Sequence, residues 1–234
     1  MTTKLTINSS FDVFKICKDK VCLDIGANEG GVTESILNNG AKKVYCFEPG
    51  KKLCKMIEDR YKGNDKVVLI QTGLSDEIKI LKNVTYLNAW VLGNPNEIKL
   101  PVSPDACNIE GYELFDVPLN TVDNYFKDSD EEIGYMKIDV DGYDYKVLKG
   151  SQTIINKYRP IIFIELSLYY DMIEGSSVQD FLNFVTTNNY IFISVDGHIR
   201  SAEFVKQEFP YHSSCDVFLC PAEKIDLFKD YISI

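Results

Sequence analysis

Acidic side chains stand at or near the carboxyl ends of several apolar runs in this 234-residue sequence. Asp24 lies near the end of the first run, Glu48 closes the second, and Asp139 follows the central one. Because the carboxyl ends of parallel strands meet at one edge of a sheet, these distant residues would share one site. A carboxylate there can accept hydrogen bonds from a polar ligand or act as a general base.

The stretch around Asp24 predicts a strand, a tight turn and a helix. Residues 21–25 form a short apolar run, small residues follow, and apolar residues spaced for one helix face begin at Val32. Glycines allow a sharp turn and the close approach of a ligand. Free N–H groups at the start of the helix favour an anionic or polar ligand group. A plain strand–turn–helix that binds nothing is the alternative.

The order of residues in this turn separates two kinds of cofactor. A dinucleotide fingerprint reads G-x-G-x-x-G, whereas this chain has Asp24-x-Gly26-x-Asn28-x-Gly30. The turn resembles the D-x-G-x-G-x-G loop of class I S-adenosylmethionine (SAM) methyltransferases, with Asn for the middle Gly. The resemblance implies that the loop, including Ala27, meets the amino-acid tail, ribose and sulfonium of SAM. It also implies that Asp24 helps to hold the ammonium of the tail.

Two later segments would complete the cofactor site. Glu48 lies 24 positions after Asp24, near the spacing at which an acid binds both ribose hydroxyls; a surface acid at a strand end is the alternative. The loop Gly-Leu-Ser-Asp, which contains Leu74, follows the third predicted strand and should flank the adenine. Ser75 or Asp76 would bond the exocyclic amine there, and an ordinary polar turn explains the segment equally well.

Several segments, taken in order, resemble the FkbM family of SAM-dependent methyltransferases. They are Leu23-Asp24-Ile25-Gly26-Ala27-Asn28, Phe47-Glu48-Pro49, Gly73-Leu74-Ser75-Asp76, Met136-Lys137-Ile138-Asp139-Val140-Asp141-Gly142 with Leu148-Lys149-Gly150, and Ile164-Glu165. The resemblance implies the seven-stranded class I methyltransferase sheet and O-methylation of hydroxyls, often on sugars or polyketide-type products. The family usually has Glu where this chain has Asp141, and often an aromatic residue where it has Gly31.

The central predicted strand carries the residues expected to act on the acceptor. Asp139 is the candidate base, and Lys137, on the same strand face, would orient it or stabilise an alkoxide. A buried ion pair that joins strand to helix is the alternative. Asp141 and Glu165 lie near the same edge and would contact substrate or, with Asp139, ligate Mg²⁺. Asp141 also fits as a helix cap, and we expect no metal.

The elements that must position these residues alternate between strand and helix. This pattern predicts an α/β, doubly wound, mostly parallel sheet with helices on both faces, in a single domain over 1–234. Residues 178–188 have the apolar spacing of an amphipathic helix. Residues 77–118 break the rhythm and predict a partly β insertion, a candidate substrate lid. In it, Trp90 and Tyr112 would be substrate walls or simply core.

Composition narrows the class of protein and partner. Hydrophobic residues make up 45% of the chain and the net charge is −10, which suits a globular domain but disfavours nucleic acid or an anionic membrane as a partner. Seven cysteines without a C-x-x-C motif indicate a reducing, cytoplasmic setting, and with two histidines a zinc site is not expected. No apolar run approaches the roughly 20 residues of a membrane span.

These observations predict a SAM-dependent O-methyltransferase that acts on a hydroxyl of a small molecule or glycan and releases S-adenosylhomocysteine (SAH). An N- or protein methyltransferase of the same fold is one alternative, and a non-catalytic SAM-binding or scaffold protein is another. The joint presence of Asp24, Glu48, Lys137 and Asp139 favours an enzyme. A nicotinamide dehydrogenase is disfavoured because Asn28 misses the pyrophosphate fingerprint.

Overall fold

The computed structural model describes residues 13–87, 90–92, 114–140, 142–166, 177–203, 205 and 215–232. Its strands are β1 (Val21–Ile25), β2 (Lys43–Phe47), β3 (Val67–Ile70), β4 (Gly73–Leu74), β5 (Lys79–Leu87), β6 (Trp90–Leu92), β7 (Leu114–Asn120), β8 (Ile133–Ile138), β9 (Ile161–Leu166), β10 (Tyr190–Ser194), β11 (Ile199–Arg200) and β12 (Cys215–Pro221). Its helices are α1 (Gly31–Asn38), α2 (Lys51–Arg60), α3 (Val122–Tyr125), α4 (Asp144–Lys149), α5 (Gln152–Tyr158) and α6 (Val178–Thr187). Short 3₁₀ segments cover Val13–Cys17 and Ala222–Phe228.

The larger sheet has the order β11-β10-β12-β9-β8-β1-β2-β3. Strands β1, β2, β3, β8 and β9 pair in parallel, while β12 is antiparallel to both β9 and β10. The central strands are buried on both faces because helices cover each side, which is why they read as unbroken apolar runs. The predicted doubly wound, mostly parallel α/β sheet is confirmed.

Within the described residues, the larger sheet has eight strands, one more than the seven that were predicted. The additional strand is β11, a two-residue edge that pairs with β10 in antiparallel. A tight turn makes the pairing possible: Gly197 has φ 82° and its N–H bonds the carbonyl oxygen of Ser194 at 2.8 Å. A pairing this short leaves little apolar pattern in the sequence.

The predicted β insertion forms a second sheet, with the order β4-β7-β5-β6. Gly73 and Leu74, expected in a loop, instead pair in parallel with Leu119 and Asn120 of β7, which joins this sheet to the chain after β3. Tyr112, the Trp90 side chain and much of the candidate lid lie outside the described residues.

Two helices show what local sequence can and cannot predict. The amphipathic helix expected at 178–188 is confirmed as α6, where Ser177 and Asp180 form a reciprocal capping box. Helix α5 was not predicted. Its first N–H groups, from Thr153 and Ile154, donate to the carboxylate of Asp123 at 2.8 and 3.0 Å, so its cap comes from a residue some 30 positions earlier in the chain.

The helices pack in two layers, one on each face of the larger sheet. One layer of the core is dominated by aliphatic and aromatic side chains around Met136, Phe181 and Val185, and the other around Ile36, Tyr135 and Phe218. Within the described part of the chain, no helix has the length and apolar character needed to cross a membrane. Because β1, β2, β3, β8 and β9 run parallel to one another, their carboxyl ends lie at the same edge of the larger sheet.

Candidate functional site

A cleft of about 590 Å³ lies at the carboxyl ends of the central strands, a volume typical of ligand sites. One wall comes from residues at the carboxyl ends of β1, β2, β8 and β9 and from the turns after the first three, and the other from the second sheet, through Leu81, Val117 and Leu119. The predicted site residues that line the cleft are Gly26, Ala27, Asn28, Glu48, Leu74, Lys137, Asp139 and Glu165.

Three of the predicted residues stand behind this lining, and one is not described. Asp24, Gly30 and Ser75 are not among the residues that face the cleft. Gly30 has φ 80° at the start of α1, and its carbonyl oxygen accepts a hydrogen bond from the Tyr61 hydroxyl at 2.6 Å. Asp141 lies outside the described residues.

The glycine loop turns back tightly against the central strand. Gly26 has φ 76°, and a Cβ at this position would lie 1.9 Å from the carbonyl oxygen of Asp139. The N–H groups of Gly26 and Ala27 both donate to the carbonyl oxygen of Phe47, at 2.9 and 3.1 Å. Asn28, which replaces the expected middle Gly, has φ 52°, a left-handed conformation that Asn tolerates better than most residues.

Glu48 joins the second strand to the loop. Its side chain is buried, and one carboxylate oxygen accepts the N–H of Asn28 at 3.0 Å while the other accepts the N–H of Gly50 at 2.8 Å. Two backbone N–H groups thus fix the orientation of the carboxylate. Glu48 itself lines the cleft.

Asp24 is fully buried beneath the loop. One carboxylate oxygen accepts a 2.5 Å hydrogen bond from the Thr33 hydroxyl, and the other lies 3.6 Å from the Lys137 ammonium. No described residue donates a hydrogen bond to that second oxygen. Burial raises the pKa of Asp24, and the neighbouring Lys137 and Thr33 offset this only in part.

Lys137 ties the loop to the central strand. Its side chain is 4% exposed, and its ammonium donates to the carbonyl oxygens of Gly26 at 2.7 Å and Ile25 at 3.4 Å. The same ammonium lies 3.4 Å from Asp139, whose side chain is 46% exposed. Burial by itself lowers the pKa of Lys137, but the carboxylates of Asp24 and Asp139 outweigh it and raise the pKa.

Carboxylates follow one another across three neighbouring strands at this edge. Ile138 pairs with Ile164, so Asp139 and Glu165 come next on their strands, and Glu165 pairs with Asp216 of β12. Among the described residues, no group of three His, Cys, Asp or Glu side chains is arranged to hold a metal ion.

Asp216 was missed in the sequence. Because β12 runs antiparallel to β9, its first residues lie at the edge where the parallel strands end. An acidic residue at the start of the last predicted strand was therefore the signal that could have pointed to Asp216. The Asp216 side chain is exposed on one side, yet the surrounding protein desolvates it and raises its pKa to about 6, with Asp139 adding to the shift.

The segment expected beside the adenine packs against α4. The Ser75 hydroxyl is buried and donates to Asp76 at 3.1 Å, and Asp76 forms a 2.6 Å ion pair with Lys149. A Cβ on Gly150 would lie 2.0 Å from the Ser75 carbonyl oxygen. The Leu148-Lys149-Gly150 part of the resemblance therefore reflects this contact between a loop and a helix end.

Comparison with known protein families gives a match to the methyltransferase FkbM domain over residues 24–192. The match covers most of the chain and includes the glycine loop, Glu48, Asp139 and Glu165. The chain belongs to the FkbM methyltransferase family. The predicted family is therefore confirmed, and with it a methyltransferase domain of the SAM-dependent type.

A solved FkbM structure has a similar fold. A methyltransferase FkbM from Methylobacillus flagellatus KT has 14% sequence identity and a TM-score of 0.52, covering 86% of this chain but only 43% of that one. The chain thus spans less than half the length of that protein. A putative methyltransferase from Streptococcus mutans, in complex with SAH, has 12% identity and a TM-score of 0.48, with coverage of 89% and 93%.

A short local match also occurs to "Hemolysin A" of Brachyspira hyodysenteriae. It is 54% identical over 33 residues, which is 14% of either chain. The cleft of the FkbM domain draws on residues from Ile25 to Glu165, so a match of this length contains only part of it.

Proposed function

We propose that this FkbM domain transfers a methyl group from SAM to a hydroxyl of a small molecule or glycan. The observation that carries the proposal is the cleft, where the glycine loop and a fixed Glu48 adjoin the partly exposed Asp139. The arrangement combines a cofactor-binding wall with a solvent-accessible base at one sheet edge, as transfer of a methyl group to a hydroxyl requires.

The residues of the cleft fit SAM. Gly26, Ala27 and Asn28 bring the backbone to the surface of the cleft, and Glu48 places there a carboxylate oriented by two backbone N–H groups, the kind of group that binds ribose hydroxyls. Leu74 adds an apolar surface beside them. SAM supplies a methyl group on a positively charged sulfur, already activated for transfer.

Three more residues are proposed to act on the cofactor from behind the cleft wall. Asp24 holds Thr33 and lies beside Lys137, and so stabilises the loop from below. Gly30 supplies the left-handed turn at the start of α1. Ser75 shapes the loop that carries Leu74. Their proposed effect on SAM passes through the backbone of the lining residues.

The acceptor is proposed to bind beside Asp139. The partly exposed carboxylate of Asp139 takes the proton of the acceptor hydroxyl. The ammonium of Lys137 contacts both this carboxylate and the carbonyl oxygen of Gly26, and so fixes the position of the carboxylate relative to the loop. Glu165 lines the cleft on the next strand and is proposed, with Asp141, to contact the acceptor. No step requires a metal ion.

Incubation of the protein with labelled SAM and cell extract, followed by identification of the labelled product, tests the proposal.

Glu48→Ala should weaken SAH binding by roughly 10- to 100-fold, because hydrogen bonds to a charged group contribute about 1.5–3 kcal/mol. Titration calorimetry measures the change. Glu131→Ala is the matched control, because Glu131 pairs with Lys43 and does not line the cleft; it should bind SAH as the parent does. Unchanged affinity in a folded Glu48→Ala variant would count against the ribose assignment.

Asp139→Asn should lower turnover of the identified acceptor by about 10²-fold or more, with little change in SAH affinity, because the amide keeps the shape of the side chain but accepts no proton. EDTA should leave the parent rate unchanged. A folded variant that turns over at the parent rate removes Asp139 from the mechanism. Loss of activity in EDTA with recovery in Mg²⁺ would instead support a metal at these carboxylates.

A further inference from the structure

The turn after the central strand is held from behind by a buried carboxylate. Asp139, Val140 and Tyr143 of this turn line the cleft, whereas Asp144, the first residue of α4, does not. Asp144 is fully buried. Its two carboxylate oxygens accept the N–H groups of Val140 at 3.1 Å and Gly142 at 3.0 Å.

The turn that Asp144 holds is in direct contact with the glycine loop. The N–H of Asp139 donates to the carbonyl oxygen of Ile25 at 3.1 Å. A Cβ on Gly26 would lie 1.9 Å from the Asp139 carbonyl oxygen and 3.2 Å from the Val140 side chain. Because the two segments touch with no space between them, a shift of the turn must change the shape of the loop.

We propose that Asp144 is a positioning residue for the methyltransferase cleft. Its carboxylate fixes the backbone of residues 140 and 142, and this backbone sets both the Asp139 carboxylate and the surface that the glycine loop presents to SAM. The inference rests on the proposed function.

The chemistry of Asp144 makes its replacement by Asn informative. A carboxylate accepts hydrogen bonds on both oxygens, but an amide presents an N–H₂ group on one side. In Asp144→Asn, that group would face the N–H of Val140 or of Gly142, so one hydrogen bond becomes a donor–donor contact inside the protein. The turn should then shift toward the loop or away from it.

The experiment compares Asp144→Asn with Asp123→Asn. Asp123 is the matched control, because its carboxylate also accepts two backbone N–H groups, from Thr153 and Ile154, but it does not line or adjoin the cleft. Melting temperature and SAH affinity are measured for both variants and the parent, with calorimetry well below the lowest melting temperature. Both variants should melt earlier than the parent. Asp144→Asn should bind SAH at least tenfold more weakly, and Asp123→Asn should bind it as the parent does.

Equal SAH affinity in Asp144→Asn and the parent would overturn the positioning role and leave the proposed function intact. A parent protein that does not bind SAH would overturn the proposed function itself, and the positioning role with it. Should Asp144→Asn fail to fold, amide hydrogen exchange in the parent decides. Slow exchange of the Val140 and Gly142 amides in the free protein supports the clamp, and exchange at the rate of an open chain overturns it.

Discussion

Gly26→Ala should reduce SAH binding by at least 100-fold. The added Cβ would lie 1.9 Å from the carbonyl oxygen of Asp139, and a backbone atom of the central strand cannot move aside cheaply. Gly26 also has φ 76°, where a residue with a side chain costs about 1 kcal/mol or more. The loop must therefore move away from β8, which opens the contact that shapes the cleft. Calorimetry with SAH measures the loss.

Gly63→Ala is the control that separates the two causes. Gly63 has φ 79°, close to that of Gly26, but a Cβ there would meet nothing within 4 Å. The control should carry only the backbone cost, seen as a small fall in melting temperature, and it should bind SAH normally. If Gly26→Ala bound SAH within threefold of the parent, the close approach of loop and strand would not matter for the ligand.

Lys137→Met should lower the free energy of unfolding by about 3–5 kcal/mol, because it leaves buried carboxyl groups without their cation. Asp24 is the group most affected, since its side chain is 0% exposed and lies 3.6 Å from the Lys137 ammonium. Without Lys137, burial raises the pKa of Asp24 further. The folded variant then keeps this proton to a higher pH than the folded parent does, so the loss of stability relative to the parent should grow as the pH rises through the already raised pKa of Asp24 in the parent.

Lys43→Met provides the contrast, measured by the same denaturant titration. The Lys43–Glu131 pair is shorter, at 2.8 Å, but both side chains are more than a quarter exposed, and such pairs contribute about 0–1 kcal/mol. The double variant Lys137→Met/Asp24→Asn should recover most of the stability, because neither member of the buried pair then carries a charge. A Lys137→Met variant no less stable than Lys43→Met would show that the buried pair is not structural.

The sequence was sufficient for the features that depend on neighbouring residues. The buried central strands read as apolar runs, Gly26 and Gly30 marked the turn, and the apolar spacing of residues 178–188 marked α6. These signals are local, since an apolar run, the freedom of a glycine and the period of a helix each involve a few consecutive positions. The order of the segments then led to the family, which its domain match confirmed.

Features that depend on distant partners were not predictable in this way. Helix α5 is capped by Asp123, the turn after β8 is held by Asp144, and Ser75 packs on the glycine that ends α4. Asp216 lies opposite Glu165 only because β12 runs antiparallel to β9. Each of these contacts can be predicted only once the order and direction of the strands in the sheet are known.

The position of β8 in the sheet also governs when the site can form as the chain folds. β1, β2 and β3 pair through short connections, but β8 enters beside β1 from far along the chain, and Lys137 meets the carbonyl oxygen of Gly26 across 111 residues. Loop closure over such a span is slow and comes after local pairing. A nascent chain that ends before β8 would therefore carry the whole glycine loop and Glu48 yet have no cleft, so the proposed binding of SAH would have to wait until β8 has joined the sheet.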